Sequence, residues 1–372
     1  MTIDSRIAAP ARCVEAELIA RHNRFVASVR LRGRALRVYV PNTGRLSELA
    51  LPGSRVLLLP SPGKYPYRIE YIYFRGHPVM INSTRSNALF RELIENRRVP
   101  GLEAYRLVKR EPAYGRHRFD FLLAEPDGGE RPLELKSCTL AHGGIASFPD
   151  AVSERAARHV KLLAEHRGIL VFFLLHEGIR RFVPNYHTDF AFYRALKRSF
   201  DSLTVLALSV EYDENLSISR LLPVSITMPE VEPKGSYILV YRNTRRRRIV
   251  VGALGTIAFD AGYYLYCGSG MGDLFARIER HRRKSPVRHW HVDYLKDGMT
   301  MTAHLPVVGD LPGECGLAAG LASLGGESVP GFGSSDCRCG SHLFHFSENP
   351  MEGDRFWDLI GEARFGEYRE RS

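Results

Sequence analysis

Residues 168–175 read GILVFFLL, a continuous apolar run. A strand with one face in water alternates apolar and polar side chains. An unbroken run predicts a strand covered on both faces, and therefore a layered α/β sheet. The neighbouring segments agree. RHRFDFLLAEPDGGERPLELKS (116–137) reads as a hairpin: Phe119, Phe121 and Leu123 alternate with Asp120 and Leu122, PDGG makes the turn and LELK returns. FPDAVSERAARHVKLLAEH (148–166) predicts a helix with Val152, Ala156, Val160 and Leu163 on one face. SNALFRELIENR (86–97) predicts an earlier helix, capped by Ser86 or Asn87, with Leu89, Leu93 and Ile94 inward. Helix, strand, strand, helix, strand is an α/β core, assigned to residues 86–222.

The flanking segments read differently. In FVASVRLRGRALRVYV (25–40), Phe25, Ala27, Val29 and Leu31 alternate with Val26, Ser28, Arg30 and Arg32; a turn near Gly33 leads to Leu36, Val38 and Val40. SRVLLLP (54–60) and YRIEYIYF (67–74) predict further strands. Several short strands with a basic, aromatic outer face suit a small barrel over residues 1–85 that binds single-stranded nucleic acid. Its candidate contacts are Arg30, Arg32, Arg37 and Tyr39 on the hairpin, with Asn42 and Arg45 in the PNTGR loop. Arg155 and Arg158 on the later basic helix are further candidates. PVSITMPEVEPK (223–234), with three prolines, reads as a linker. Beyond it, GSYILVYRN (235–243) and RRIVVGAL (247–254) predict strands around an Arg-rich turn. AGYYLYCGS (261–269) predicts another strand, and 271–284 and 314–324 predict helices within a domain ending at 348. Residues 349–372 read as a charged tail.

Charge narrows the partners. Net charge is +11, and residues 1–85 hold 14 Lys and Arg against 5 Asp and Glu. A concentrated basic segment favours a polyanion, DNA or RNA, although a merely solvated basic surface has the same composition. No apolar run is long enough to span a bilayer. The N-terminus lacks the layout of a signal peptide. Six scattered cysteines do not form a disulfide framework, so a reducing cytoplasm is expected.

Two groups of residues carry chemistry. With Asp120 on one strand of the hairpin and Glu134 and Lys136 on the other, a suitable register brings all three to one face. Paired carboxylates suit Mg²⁺ or Mn²⁺, which polarises a phosphate and acidifies a bound water, and a lysine beside that water offsets developing charge. The bland alternative is a solvated hairpin face. Asp, spacer, Glu-x-Lys resembles the PD-(D/E)XK nuclease core, and a helix carrying Glu92 and Glu95 precedes it. More broadly, FVASVRL, VPNTGRLSEL, INSTRSNALF, RFDFLL, ELKSCTLA and FPDAVSERAARHVKLL resemble, in order, the sugar fermentation stimulation protein family over roughly residues 14–215. That resemblance implies an N-terminal OB-fold, a PD-(D/E)XK nuclease-like domain and nucleic-acid binding. It makes Asp120, Glu134 and Lys136 the nuclease positions, with Asp120 and Glu134 as metal ligands. Cys138 stands where the family pattern has an aliphatic residue.

In the third segment, GSY (235–237) and YCG (266–268) sit at strand positions. Arg277 and His281 follow one helical turn apart, and Glu314 begins a helix. This resembles the GIY-YIG nuclease layout, with GSY for GIY, YCG for YIG and a longer gap between them. The resemblance implies that a tyrosine helps deprotonate the attacking water, Arg277 stabilises phosphorane charge and Glu314 holds a metal, with Tyr237, Tyr266 and His281 as further catalytic candidates. HWHVDYL (289–295) and GFGSSDCRCGSHLF (331–344) resemble a GIY-YIG-related family of unknown function, DUF123, over roughly residues 234–347. Cys337, Cys339, His342 and His345, with Cys315 or His291 nearby, raise the question of structural zinc. C-x-C-x₂-H-x₂-H is not a usual zinc spacing, and a packed loop is preferred.

The chain therefore reads as α/β multidomain: an OB-type barrel, a PD-(D/E)XK-like core and a GIY-YIG-like domain. The expected function is a metal-dependent endonuclease; the alternative is an inert DNA-binding regulator of sugar metabolism genes. A homodimer would suit cutting of both strands.

Overall fold

The computed structural model describes residues 13–283 and 287–369. Most of the segment read for a signal peptide, the last residue of the 271–284 helix and the end of the tail lie outside them. The chain divides into two compact units. One runs through Pro229 and takes in Arg369; the other is Glu230–Tyr368. No described helix is long and apolar enough to cross a membrane.

The first unit opens with a barrel. Val14–Asn23 lies between Val26–Leu31 and Arg55–Pro60; Arg34–Tyr39 pairs with Val26–Leu31, and Tyr67–Phe74 with Arg55–Pro60. A bridge between Tyr39 and Arg68 closes the ring into the five-stranded OB arrangement. His77–Met80 extends it at Tyr67–Phe74. The alternation read from the sequence is what fills the barrel: Leu18, Ala27, Val29, Val38, Val56 and Leu58 are fully buried. Arg32 and Gly33 make the tight hairpin turn, both at positive φ. Phe25 departs from the pattern and is exposed, because it sits at the tight turn between the first two strands.

The α/β core follows. Its sheet runs in the order Ile218–Pro223, Thr204–Tyr212, Ile169–Leu174, Glu130–Cys138, Phe121–Ala124, Arg106–Arg110. The three inner strands from Thr204–Tyr212 to Glu130–Cys138 are parallel and the outer pairings antiparallel. Ile169–Leu174 is buried at every position, as its apolar run requires. Helix α1 (Ser83–Glu95) is capped by Asn82, whose side chain accepts the Arg85 N–H, rather than by Ser86 or Asn87. Those two side chains are turned inward to other partners, Ser137 and Asp120. Phe90 of α1 packs on Phe121 and Phe173. Helix α2 (Glu154–Glu165) begins later than the sequence suggests. Ser153 caps it, Phe148–Pro149 is cis, and Val152 is exposed ahead of the first turn. Helix α3 (Phe190–Ser199) packs beside α2. A smaller sheet joins Leu140–His142, Ile145–Phe148, Arg181–Pro184 and Ser225–Ile226. The segment read as a linker thus starts as a strand of this unit, paired with Arg181 and Phe182.

The second unit is built on an antiparallel sheet in the order Thr300–Val308, Gly235–Asn243, Gly262–Gly270, Leu343–Phe346, Glu327–Ser328. Gly235–Asn243 flanks the Arg-rich turn but does not pair across it. It is almost wholly buried and needs long strands on both sides, while Arg247–Val250 forms its own hairpin with Thr256–Phe259. Helices α4 (Leu274–Arg282) and α5 (Gly313–Ser323) pack on the sheet. The stretch read as a charged tail contributes α6 (Asp354–Phe365), whose Phe356 and Ile360 join the same core as Ile238, Leu265 and Leu317.

Candidate functional sites

The antiparallel register Phe121–Leu133 sets Asp120 beside the Glu134 strand. Asp120 Oδ2 accepts the Leu135 N–H at 2.8 Å, and Oδ1 accepts from Asn87 Nδ2 of α1 at 2.8 Å. Glu134 and Lys136 share a face, two residues apart. Lys136 Nζ lies 2.5 Å from Glu134 Oε1, and His159 Nδ1 of α2 lies 2.9 Å from the same oxygen. Burial, and then the Glu134 charge, raise the Asp120 carboxyl above its ordinary value. Burial would also raise Glu134, but the Lys136 ammonium and the His159 ring together hold it below the ordinary value.

Asp120 and Lys136 line a cleft of about 610 Å³ whose other walls include Arg24, Asn42, Arg91, Arg110 and Asp150. The cleft lies between the barrel and the α/β core. Asn42 holds its loop by donating to the Ile81 carbonyl and accepting the Gly44 N–H. Arg21 donates to the carbonyls of Asn42 and Gly44, and Asp150 accepts the Leu46 N–H from across the cleft.

The residues divide accordingly. Asp120 bonds the backbone of the strand on which Glu134 and Lys136 pair, and Asp120 and Lys136 line the cleft while Glu134 is buried beside it. From α1 it is Asn87, rather than Glu92 or Glu95, that bonds Asp120; Glu95 pairs with Arg91. Arg30, Arg37 and Tyr39 face outward from the hairpin, Arg32 sits in its turn and Arg45 is exposed; Arg30 pairs with Glu17 at 2.7 Å. Arg155 and Arg158 do not line the cleft: Arg158 pairs with Glu154, and Arg155 approaches His159. The basic walls come from Arg24, Arg91 and Arg110, which have no local signature. His159 was missed as well. Its trace in the sequence is a polar residue on the apolar face shared by Ala156, Val160 and Leu163.

In the second unit, Tyr237, Tyr266, Arg277 and Glu314 line a second cavity of about 430 Å³ with Trp290, His291 and Asp336. Tyr266 lies on the central strand and Tyr237 on its neighbour, their ring centres 6.5 Å apart. Gly268 sits under the Tyr237 ring: a Cβ there would fall 2.6 Å from the ring's Cζ and hydroxyl. Arg277 stacks on Trp290 at 4.1 Å. His281 is buried behind Tyr237, outside the cavity lining. Its Nε2 is 2.9 Å from the Tyr237 hydroxyl, and its Nδ1 is 3.2 Å from Asp293 Oδ1. Asp293 also accepts from Arg280 and from the His289 and Trp290 N–H groups; against burial, these contacts and His281 hold its carboxyl far below the ordinary range. Burial lowers the His281 ring. A neutral ring donating from Nδ1 to Asp293 leaves Nε2 to accept the Tyr237 proton. Asp293, within HWHVDYL, was not singled out from the sequence. The cysteine-rich loop gathers Cys337, Cys339 and His342 but not His345, which bonds the Ala261 carbonyl and pairs with Glu327; Cys315 of α5 takes the fourth place.

Fold and site together define a mixed α/β multidomain protein with an N-terminal OB-type barrel and paired carboxylates in its central sheet. Family models match in the same order: the SfsA N-terminal OB domain over residues 19–81, the sugar fermentation stimulation protein RE domain over 84–216, and DUF123, a domain of unknown function, over 236–364. A sugar fermentation stimulation protein homolog of Clostridium botulinum (strain Langeland) is 36% identical over 222 residues, covering 57% of this chain and 96% of that protein. The Clostridium tetani homolog is 34% identical over 209 residues, covering 54% and 91%. The structure of Pyrococcus furiosus SfsA in complex with Ca²⁺ superposes with a TM-score of 0.55 at 28% identity, over 61% of this chain and 98% of that one. The chain belongs to the sugar fermentation stimulation protein family and carries a DUF123 domain at its C-terminal side.

Proposed function

We propose that this protein binds nucleic acid and hydrolyses phosphodiester bonds with a divalent metal, at Asp120, Glu134 and Lys136. The observation that carries the reading is the placing of two neighbouring carboxylates and a lysine beside a cleft with arginine walls. The donor set fits a hard cation. Both close contacts of Glu134 go to Oε1 and Asp120 is raised partly by the Glu134 charge, so Asp120 and Glu134 would hold a cation that offsets that repulsion. The Ca²⁺ of the Pyrococcus furiosus relative agrees with a divalent ion, for which Mg²⁺ or Mn²⁺ is the working choice here.

Such an ion would acidify a bound water and neutralise phosphate charge. Asn87 and the Leu135 N–H orient Asp120. His159 holds Glu134 from behind, which leaves Lys136 free to leave its ion pair and donate to the scissile phosphate or the attacking water. Arg24, Arg91 and Arg110 line the path of the backbone, and the hairpin bearing Arg30, Arg32, Arg37 and Tyr39, with Asn42 and Arg45 beyond it, extends the grip onto the barrel. In the second unit, Tyr237 would relay a water proton to His281, with Tyr266 beside it, Arg277 on the phosphate and Glu314 as metal ligand, in the GIY-YIG manner. The domain assignment belongs to the same proposal: the barrel read to 85 ends before α1 at Ser83, the core read as 86–222 extends from α1 through Ser225–Ile226, and the third domain runs from 235 through α6. Few and scattered cysteines suit a reducing cytoplasm.

A second reading has its own observation. Glu134 is already satisfied by Lys136 and His159, an arrangement that also suits an inert binding protein. End-labelled single- and double-stranded DNA and RNA, incubated with Mg²⁺, Mn²⁺ or chelator, separate the two. Cleavage that needs metal and vanishes in Glu134→Ala or Glu314→Ala supports the nuclease and names its working site. Binding without cleavage in every condition leaves the inert reading.

A further inference from the structure

Cys315, at the start of α5, meets Cys337, Cys339 and His342 from the loop before Leu343–Phe346. One ligand atom from each lies within 4.8 Å of all the others. We propose that these four side chains bind one zinc ion in a closed, structural Cys₃His site.

Distances support a tetrahedron. Zinc bonds of about 2.3 Å to sulfur and about 2.0 Å to nitrogen place a thiolate and an imidazole nitrogen roughly 3.6 Å apart. His342 Nε2 lies 3.7 Å from Cys315 Sγ and 3.5 Å from Cys337 Sγ. The His342 ring is buried, and its Nδ1 has no hydrogen-bond partner among the described residues. Two long contacts to sulfur are poor compensation for burying the Nε2 side of an imidazole; a metal bond there would replace them, with the proton left on Nδ1. The backbone is already arranged for it. The His342 N–H donates to the Phe332 carbonyl and its own carbonyl accepts the Cys267 N–H, which anchors the residue to the sheet. The Cys339 N–H points at Cys337 Sγ, 3.4 Å away, as an N–H does when it stabilises a thiolate. None of the three cysteines is in a disulfide.

The ion would tie α5 to the 331–342 loop. Glu314 precedes Cys315, and Gly333, Ser335 and Asp336 of the loop wall the second cavity. The tie therefore sets one side of that cavity; this consequence, unlike the zinc site, rests on the GIY-YIG-like reading.

The test uses the full chain, purified without metal-chelating resin. Elemental analysis should find one zinc per chain. Cobalt exchanged into it should give the intense visible bands of a tetrahedral ion and sulfur-to-cobalt charge transfer. Cys337→Ser and Cys339→Ser should each lose the metal, while Cys13→Ser, in the barrel, keeps it. If the loop variants fail to fold, mercurial titration of the wild-type thiols reads the same site by stoichiometric zinc release. Wild-type protein that is folded yet holds under a tenth of an equivalent of zinc after incubation with it would overturn the proposal. So would a disulfide among these cysteines found by mass spectrometry in freshly reduced and dialysed protein.

Discussion

The Asp120 carboxylate accepts the backbone N–H of Leu135, the residue between Glu134 and Lys136, at 2.8 Å. The bond pins Asp120 to the backbone of the strand that carries both other charges. Lys136→Ala should abolish metal-dependent cleavage and leave nucleic-acid binding nearly intact. Asn87→Ala, which frees the other oxygen of Asp120, should weaken Mn²⁺ binding roughly 10- to 100-fold by calorimetry. Unchanged cleavage in the lysine variant removes this site from consideration.

His159 shields one side of Glu134 inside the fold. Replacing it with phenylalanine leaves the carboxylate buried with Lys136 as its remaining close partner. A loss of about 1–3 kcal/mol in unfolding free energy is expected, read by urea titration at neutral pH. A stability equal to wild type would mean that the histidine contact is dispensable.

His176 makes stability depend on pH. It is buried, donates from Nε2 to the Thr139 carbonyl at 2.6 Å, and burial lowers its ring to about 4 from an ordinary 6.5. The folded state therefore prefers the neutral ring. Above pH 6.5 its contribution is complete. As pH falls from 6.5 towards 4 the unfolded chain takes up the proton first, and up to about 3 kcal/mol is lost. His176→Gln should flatten the pH dependence in that window; an equally steep loss in the variant would assign it to other groups.

Arg30 and Arg37 lie on the outer face of the barrel hairpin. Arg30→Glu with Arg37→Glu should weaken DNA binding and reduce the slope of log affinity against log salt by about 1 for each phosphate that is no longer neutralised. An unaltered slope would move the grip to the cleft arginines.

Gly268 has no room for a side chain beneath Tyr237. Gly268→Ala places a Cβ 2.6 Å from the Tyr237 Cζ and hydroxyl, so the ring must move. A destabilisation of about 1–3 kcal/mol is expected in chemical denaturation. Wild-type stability would show that the ring does not lie on that strand.

The amino-acid sequence by itself made the central strands and helices legible, and with them the placing of Asp120 beside the strand of Glu134 and Lys136. Strand and helix periods are local, so ILVFFL, the Ala27–Val29 alternation and the Glu-x-Lys face could be read residue by residue. Asp120 could be paired with them because a short PDGG turn leaves few registers. Tertiary structure alone decided what lies behind and around those residues. His159 reaches Glu134 from a helix, Arg21 and Asp150 hold the PNTGR loop, and Asp293 bonds the side of the His281 ring away from Tyr237. Cys315 completes a cluster that spacing within 337–345 argued against, because its fourth member comes from another element. The 349–372 segment looked like a tail because its charges are many; its buried face is defined only by the sheet that Phe356 and Ile360 cover. Each of these depends on contacts between residues far apart in the chain, and a local pattern carries no information about which distant surface a side chain will meet.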